Sequence, residues 1–273
     1  MEITREQLCK MIDHTNLKPH ATEAKIKSLC AEAADYGFIA VCVNELHVPL
    51  AVKELQGTDV LVAAVVGFPL GASSSKIKAY ETRSAVDAGA AEIDMVVDQG
   101  SLRSGDGGRV EDDIRTVVEA AAPAHVKVIL ETCYLTDEQI VEGCKRSVAA
   151  GAHFVKTSTG FGAFGAFEDH VRLMRQTVGP NIGVKASGGM NSFKDAWHMI
   201  KAGANRLGVS AGIPIVQGLD LLKYSKAWLE DEIPCHLCPS RAAVRGKVPK
   251  ELYLYFKERC RTCEHREYNR YYE

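Results

Sequence analysis

Phe154-Val155-Lys156-Thr157-Ser158-Thr159-Gly160 reads as a buried strand, with apolar and β-branched residues bounded by Gly151 on one side and by glycines on the other. A lysine sits in its middle. An ammonium inside an apolar core is costly, and such a lysine gives up its proton more readily than one in water. The neutral amine that results is a nucleophile for carbonyl carbon. A lone lysine in this setting more often belongs to an edge strand or snorkels to solvent. Its meaning therefore depends on what the rest of the chain places around it.

Working outward in both directions, the same kind of segment recurs. Strand-like apolar runs cover 38–43, 60–66, 92–97, 126–131, 182–187 and 206–210, and a shorter piece around Asp13 ends at Pro19. Between them lie segments of helical spacing, one capped by Thr22 and running to Gly37, one running through about Leu55, and the others over about 75–88, 110–122, 137–150, 167–178 and 193–202. Near-continuous apolar strands alternating with helices imply a parallel sheet covered on its faces, and eight of them imply a closed (β/α)8 barrel. A weak repeat accompanies the alternation: Gly37-Phe38, Gly89-Ala90, Gly151-Ala152 and Gly203-Ala204 each stand between a helix and the next strand. Glycine at a helix C-terminus explains that recurrence without any function.

Side chains alternate along a strand, so parity decides what can face the barrel interior. Lys156 shares a face with Phe154 and Ser158; on the next strand Lys185 shares one with Gly183 and Ser187. Asp94 is opposite in parity to Ile93, Met95 and Val97, and Asp13 pairs in parity with Thr15. Two lysines on successive strands with two aspartates suit amine-based carbonyl chemistry. A neighbouring cation lowers a lysine's pKa from its usual value of about 10.4, so Lys185 helps keep Lys156 neutral, and an aspartate can shuttle protons. Lys127 and Glu131 also share a face, and read as charge pairing toward the barrel floor, since barrel active sites lie at the C-terminal face.

Composition narrows the field. With 273 residues, 46% hydrophobic and 25% charged, the chain fits an ordinary globular protein with a full core. A formal net charge of −2 leaves no electrostatic footprint for nucleic acid or an anionic membrane. No apolar run reaches membrane-span length and the first residues lack a signal-peptide core, so the expected location is the cytoplasm, where thiols stay reduced. The loops 158–162, 187–191 and 208–212 are rich in small residues. Three such loops at one rim favour a phosphate site, because glycines let backbone N–H groups approach an oxyanion.

Beyond about Leu229 the composition changes, which divides the chain into a barrel over 1–229 and an extension over 230–273. Cys235, Cys238, Cys260 and Cys263 form two C-x2-C knuckles, the pattern of a structural tetrahedral zinc site, with His236 and His265 as alternative ligands. So small a unit needs metal or docking to fold, and its balanced charge argues against a nucleic-acid reader.

Ile12-Asp13-His14-Thr15-Asn16-Leu17-Lys18-Pro19, Glu92-Ile93-Asp94-Met95-Val96-Val97, Val155-Lys156-Thr157-Ser158-Thr159-Gly160-Phe161 and Val184-Lys185-Ala186-Ser187-Gly188-Gly189 together resemble the deoxyribose-phosphate aldolase family, from about Asp13 to Gln217. The resemblance implies a (β/α)8 barrel, a phosphorylated sugar substrate, a class I mechanism without a catalytic cofactor, and a homodimer or larger assembly. It also implies roles: Lys156 for the Schiff base, Lys185 for tuning it, Asp94 and Asp13 for the proton relay, and Gly160, Gly188, Gly189, Gly208 and Ser210 around the substrate phosphate. Cys42 matches a cysteine near the family's pocket, although a small core residue is its simpler reading. Many members have a terminal tyrosine that reaches the active site; here Tyr271-Tyr272-Glu273 follows a long insertion, and the resemblance does not carry that role over. Another Schiff-base aldolase, acting on a different phosphorylated aldehyde or ketone, is the alternative; a catalytically dead metal-binding scaffold would need one of the four key positions to be missing.

Overall fold

A computed structural model describes residues 3–222. The expected boundary at 229/230, the four knuckle cysteines and the terminal tyrosines lie outside the described residues. The elements run α1 (Arg5–Cys9), β1 (Ile12–Asn16), α2 (Glu23–Tyr36), β2 (Ala40–Asn44), α3 (Val48–Glu54), β3 (Leu61–Val66), α4 (Ser75–Asp87), β4 (Glu92–Val96) and α5 (Gln99–Ser104). They continue with α6 (Gly107–Ala121), β5 (His125–Ile129), α7 (Asp137–Ala149), β6 (Phe154–Lys156), α8 (Glu168–Val178), β7 (Gly183–Ser187), α9 (Phe193–Ala202), β8 (Arg206–Val209) and α10 (Gly212–Leu222). All eight strands are parallel, and they close in chain order into the expected (β/α)8 barrel.

The strands are shorter than their apolar runs: the runs ending at Val97, Glu131, Gly160 and Ser210 continue into the loop that leaves the barrel, whereas those at 38–43, 60–66 and 182–187 begin before their strands. The outward set (Ile93, Met95, Val126, Val128, Val155, Val184 and their equivalents) is fully buried beneath the helices, which is why both strand faces read as hydrophobic. The four-fold glycine repeat has one cause. After α2, α4, α7 and α9 the residue following the glycine donates its N–H five residues back (Phe38 to Ala33, Ala90 to Ala85, Ala152 to Ser147, Ala204 to Met199) while the glycine itself donates three back. This Schellman arrangement turns the chain toward the next strand and needs a left-handed residue, which glycine takes at no steric cost.

The register fixes the interior. Asp94 is level with Lys127, Lys127 with Phe154, Lys156 with Lys185, Lys185 with Arg206, and Gly208 with Asp13. Parity therefore survives one full circuit of the barrel, and every one of these residues belongs to the inward set. The floor is closed by Phe154, whose ring lies 5.1 Å from the Arg206 guanidinium and across the space where a side chain at 183 would stand. Gly183→Ala places a methyl group inside that ring's volume. It is expected to lower stability by about 1–3 kcal/mol, the usual loss on overpacking, read as a lower urea midpoint with an unchanged slope.

Candidate active site

Seven ionisable side chains meet inside the barrel, all from inward strand positions. Asp94 on β4 is the hub. Its Oδ2 accepts from Lys156 Nζ and from Lys185 Nζ, each at 2.7 Å, and its Oδ1 accepts from Lys127 Nζ at 2.8 Å. Lys185 also donates to Asp13 Oδ2. Arg206 donates to Asp13 Oδ1 at 2.7 Å and to both oxygens of Glu92 at 3.0 and 3.1 Å, and Lys127 lies 2.6 Å from Glu92. Asp13, Asp94, Lys127 and Lys185 are completely buried, and Lys156 is 3% exposed.

The charges do not balance. Four bases (Lys127, Lys156, Lys185, Arg206) face three carboxylates (Asp13, Glu92, Asp94). If all are ionised, one buried positive charge is left over, which is expensive in a low-dielectric interior. The environments identify the base that gives way. Burial pulls the Lys156 amine below the ordinary lysine range; Asp94 opposes that shift and the Lys185 charge reinforces it. Burial pulls on Lys127, Lys185 and Arg206 too, but their carboxylate partners override it and hold all three above their ordinary values. Burial likewise pushes Asp94 and Asp13 up, and is overridden by Lys127 first at Asp94 and by Lys185 first at Asp13, so both stay ionised well below the usual carboxylate range. The expected constellation of Lys156, Lys185, Asp94 and Asp13 is thus assembled, with Lys156 as the one base in it whose pKa is depressed.

The small-residue loops meet at the C-terminal rim beside this cluster. Gly160 and Gly188 lie against each other, a Cβ at Gly188 meeting the Gly160 Cα at 3.5 Å, and Ala166 N–H donates to the Gly188 carbonyl at 3.1 Å. Gly188 and Gly189 both have positive φ, 83° and 80°. Gly208 has a different local reason to be glycine: a Cβ there would collide with the Ser187 hydroxyl and approach Lys185 Cε at 2.9 Å. Ser210 is exposed just past the end of β8. Among the described residues the hydroxyls of Ser158 and Ser187 are buried without a hydrogen-bond partner, two polar positions one inward step beyond Lys156 and Lys185. Across the mouth, Leu17, Cys42, Ala63 and Val65 form an apolar patch against which Phe68 packs. Cys42 is fully buried within it, and burial, then the Asp94 charge, push its thiol up.

Lys127 and Glu131 depart from their expected pairing. Lys127 joins the hub through Asp94 and Glu92, whereas Glu131 lies past the end of β5 with a left-handed backbone and bonds Thr159 instead. Strand parity does not extend beyond the last ladder residue, Ile129. Arg206 and Glu92 were missed as site residues, although both have the inward parity of their strands; parity applied to every charged residue would have found them.

A family model described as DeoC/LacD family aldolase matches residues 8–218. The chain belongs to this family. It is 55% identical over 212 residues to the deoxyribose-phosphate aldolase of Clostridium tetani, covering 77% of this chain and 98% of that protein. It is 54% identical over 207 residues to the deoxyribose-phosphate aldolase of Streptococcus mutans, covering 76% of this chain and 94% of that one. Among solved structures it is similar to the tetrameric deoxyribose phosphate aldolase of Aeropyrum pernix, with a TM-score of 0.75 and 33% identity over 80% of this chain and 93% of that one. The part of the chain that the family model matches is the barrel and contains all seven residues of the cluster.

Cluster balance is testable through stability. Arg206→Met leaves Glu92 and Asp13 short of a cation, and should cost about 3–5 kcal/mol at neutral pH by urea unfolding, as breaking a buried pair does. The two aspartates contribute stability that is present above the unfolded carboxylate pKa of about 3.9 and lost as pH falls through their depressed folded values. Because Arg206 helps lower Asp13, acid unfolding of the variant, followed by circular dichroism, should begin at higher pH.

Proposed function

We propose that the chain cleaves 2-deoxy-D-ribose 5-phosphate reversibly into D-glyceraldehyde 3-phosphate and acetaldehyde, through a Schiff base on Lys156. The observation that carries this reading is the depressed pKa of Lys156 within a cluster that has one base too many. The names of the relatives support the choice of substrate.

In this mechanism the neutral Lys156 amine adds to the C1 aldehyde of the open-chain sugar, and the carbinolamine loses water to give an iminium. The C3 hydroxyl gives up its proton and the C2–C3 bond breaks. Its electron pair moves into the iminium, leaving an enamine on Lys156 and releasing D-glyceraldehyde 3-phosphate. Protonation of the enamine carbon and hydrolysis then release acetaldehyde and the free amine. Asp94, hydrogen-bonded to both Lys156 and Lys185 through one oxygen, is suited to relay the protons, and Lys185 hands the relay on to Asp13. Gly160, Gly188, Gly189, Gly208 and Ser210 line the proposed phosphate side of the mouth; the apolar patch around Cys42 suits the unsubstituted two-carbon end. No cofactor enters these steps.

The proposal extends to setting and assembly. A homo-oligomer is supported by the tetrameric relative, and a cytoplasmic location agrees with the catabolic substrate. Zinc on Cys235, Cys238, Cys260 and Cys263 is proposed as structural only. Metal analysis should find about one zinc per chain, and EDTA should leave initial turnover intact; immediate loss of activity on chelation, before unfolding, contradicts a purely structural role.

Borohydride added with substrate should trap a covalent adduct on Lys156, and Lys156→Ala should reduce acetaldehyde release to background; an active variant would sink the reading. The pH profile is a second check. The free amine increases with pH, so kcat/KM should rise and level off below the pH of about 10.4 at which an unperturbed lysine titrates. Lys185→Met removes a charge that lowers Lys156, and should move that rise to higher pH.

A further inference from the structure

Glu131 takes no part in these steps, yet the fold holds it in a costly conformation. Its φ of 52° makes it the single non-glycine residue with positive φ among the described residues, and an L residue pays free energy for that backbone wherever it occurs. Its side chain is 2% exposed. Among the described residues its hydrogen-bond partners are all on Thr159: the backbone N–H, at 3.2 and 3.3 Å from the two carboxylate oxygens, and the hydroxyl. The Thr159 hydroxyl in turn accepts from Phe161 N–H at 3.0 Å. The residues on both sides of Gly160 are therefore tied to one buried carboxylate. Gly160 itself has a φ of 87°, the conformation of a tight turn that presents its backbone to one side.

The loop also lies directly on this anchor. A Cβ at Gly162 would stand 2.7 Å from Cys133 Sγ and 3.1 Å from the Glu131 carboxyl carbon, so only glycine fits there. Phe161 packs edge-on against Phe68, with ring centroids 5.3 Å apart, and that contact joins the β6 loop to the β3 loop across a cavity of about 270 Å³ lined in part by Glu131, Thr159 and Gly162. An outlying backbone conformation that persists in a well-packed fold points to a functional constraint, and here, among the described residues, every hydrogen bond of the strained residue's side chain acts on the Gly160 turn.

We infer that Glu131 is a positioning residue: its carboxylate holds the residues on both sides of Gly160 and so aims the Gly160 N–H of that turn at the phosphate of the substrate. The inference rests on the aldolase reading above. It separates Glu131 from the reacting atoms, because loosening the turn weakens recognition of the phosphate and leaves the amine chemistry at Lys156 in place.

The test compares 2-deoxyribose 5-phosphate with unphosphorylated 2-deoxyribose as substrates for the full chain and its variants, reading the ratio of the two kcat/KM values. Glu131→Ala should lower that ratio about 10- to 100-fold, as expected when hydrogen bonds to a charged group are lost, with kcat/KM for 2-deoxyribose nearly unchanged. Glu131→Gln keeps an acceptor oxygen and should recover most of the ratio. Glu131→Gly removes the carboxylate while relieving the backbone, and keeps the test open where the alanine variant does not fold. An equal loss on both substrates, an unchanged ratio in a folded Glu131→Gly variant, or failure of both the alanine and glycine variants to fold would assign Glu131 to stability and overturn the inference. If the wild-type chain does not cleave 2-deoxyribose 5-phosphate, the substrate assignment fails instead. The same ratio, taken on whichever phosphorylated aldehyde a substrate panel identifies, still judges Glu131.

Discussion

A single carboxylate, that of Asp94, accepts hydrogen bonds from three buried lysines, and the interior of the barrel is arranged around that fact. Bringing three ammonium groups onto one carboxylate is eased when other anions share them and when one of the three loses its proton more readily than an ordinary lysine. Asp13 and Glu92 share them, on the side away from Lys156, and Arg206 ties these two carboxylates together. Removing any member shifts the charge on all the others, so the pKa of Lys156 belongs to the cluster as a whole. Burial is the largest cause of its depression, and the lysine neighbour that ordinary reasoning would credit first comes after it.

The barrel is what makes so dense a cluster possible. Eight parallel strands point one face at a common axis, and seven charged groups from six strands can then meet within hydrogen-bond distance. Helices cover the outward faces, so water does not reach the cluster from behind. The floor is sealed by Phe154 lying across Gly183 and beneath the Arg206 guanidinium. Access is left to the C-terminal mouth, where the loops after β6 and β7 crowd together at Gly165 and Gly188 so closely that a side chain at Gly165 would collide with the Gly188 backbone.

Much of this was legible in the sequence, for reasons that can be named. Alternation of side chains is a local property, so Lys156, Lys185, Asp94 and Asp13 could be put on inward faces from parity alone. Register is not local. Nothing along β8 says that Arg206 reaches Asp13 and Glu92, and nothing along β5 says that Lys127 stops at Asp94 while Glu131 leaves the ladder. The expected partnership of Lys127 and Glu131 failed at the strand's end, because Glu131 lies past the last ladder residue, Ile129, and itself takes a left-handed backbone. Helix α5 was passed over because its six residues, Gln99–Ser104, are too few to show a helical period; its Asp98 cap and the glycine that ends it are visible only once the helix is known.

The apolar half of the mouth completes the charge argument. Cys42 faces inward among Leu17, Ala63 and Val65, close enough to the cluster that Asp94, Lys185 and Lys156 all act on its thiol. A thiolate there would be a fourth anion. It would match the fourth base, remove the surplus positive charge and allow Lys156 to keep its proton. Burial and the Asp94 charge push the thiol's pKa up, so the group stays neutral and the shortage of anions persists. A small, uncharged side chain at this position therefore does more than fill space. By declining a charge, it preserves the imbalance that disfavours the charged form of Lys156.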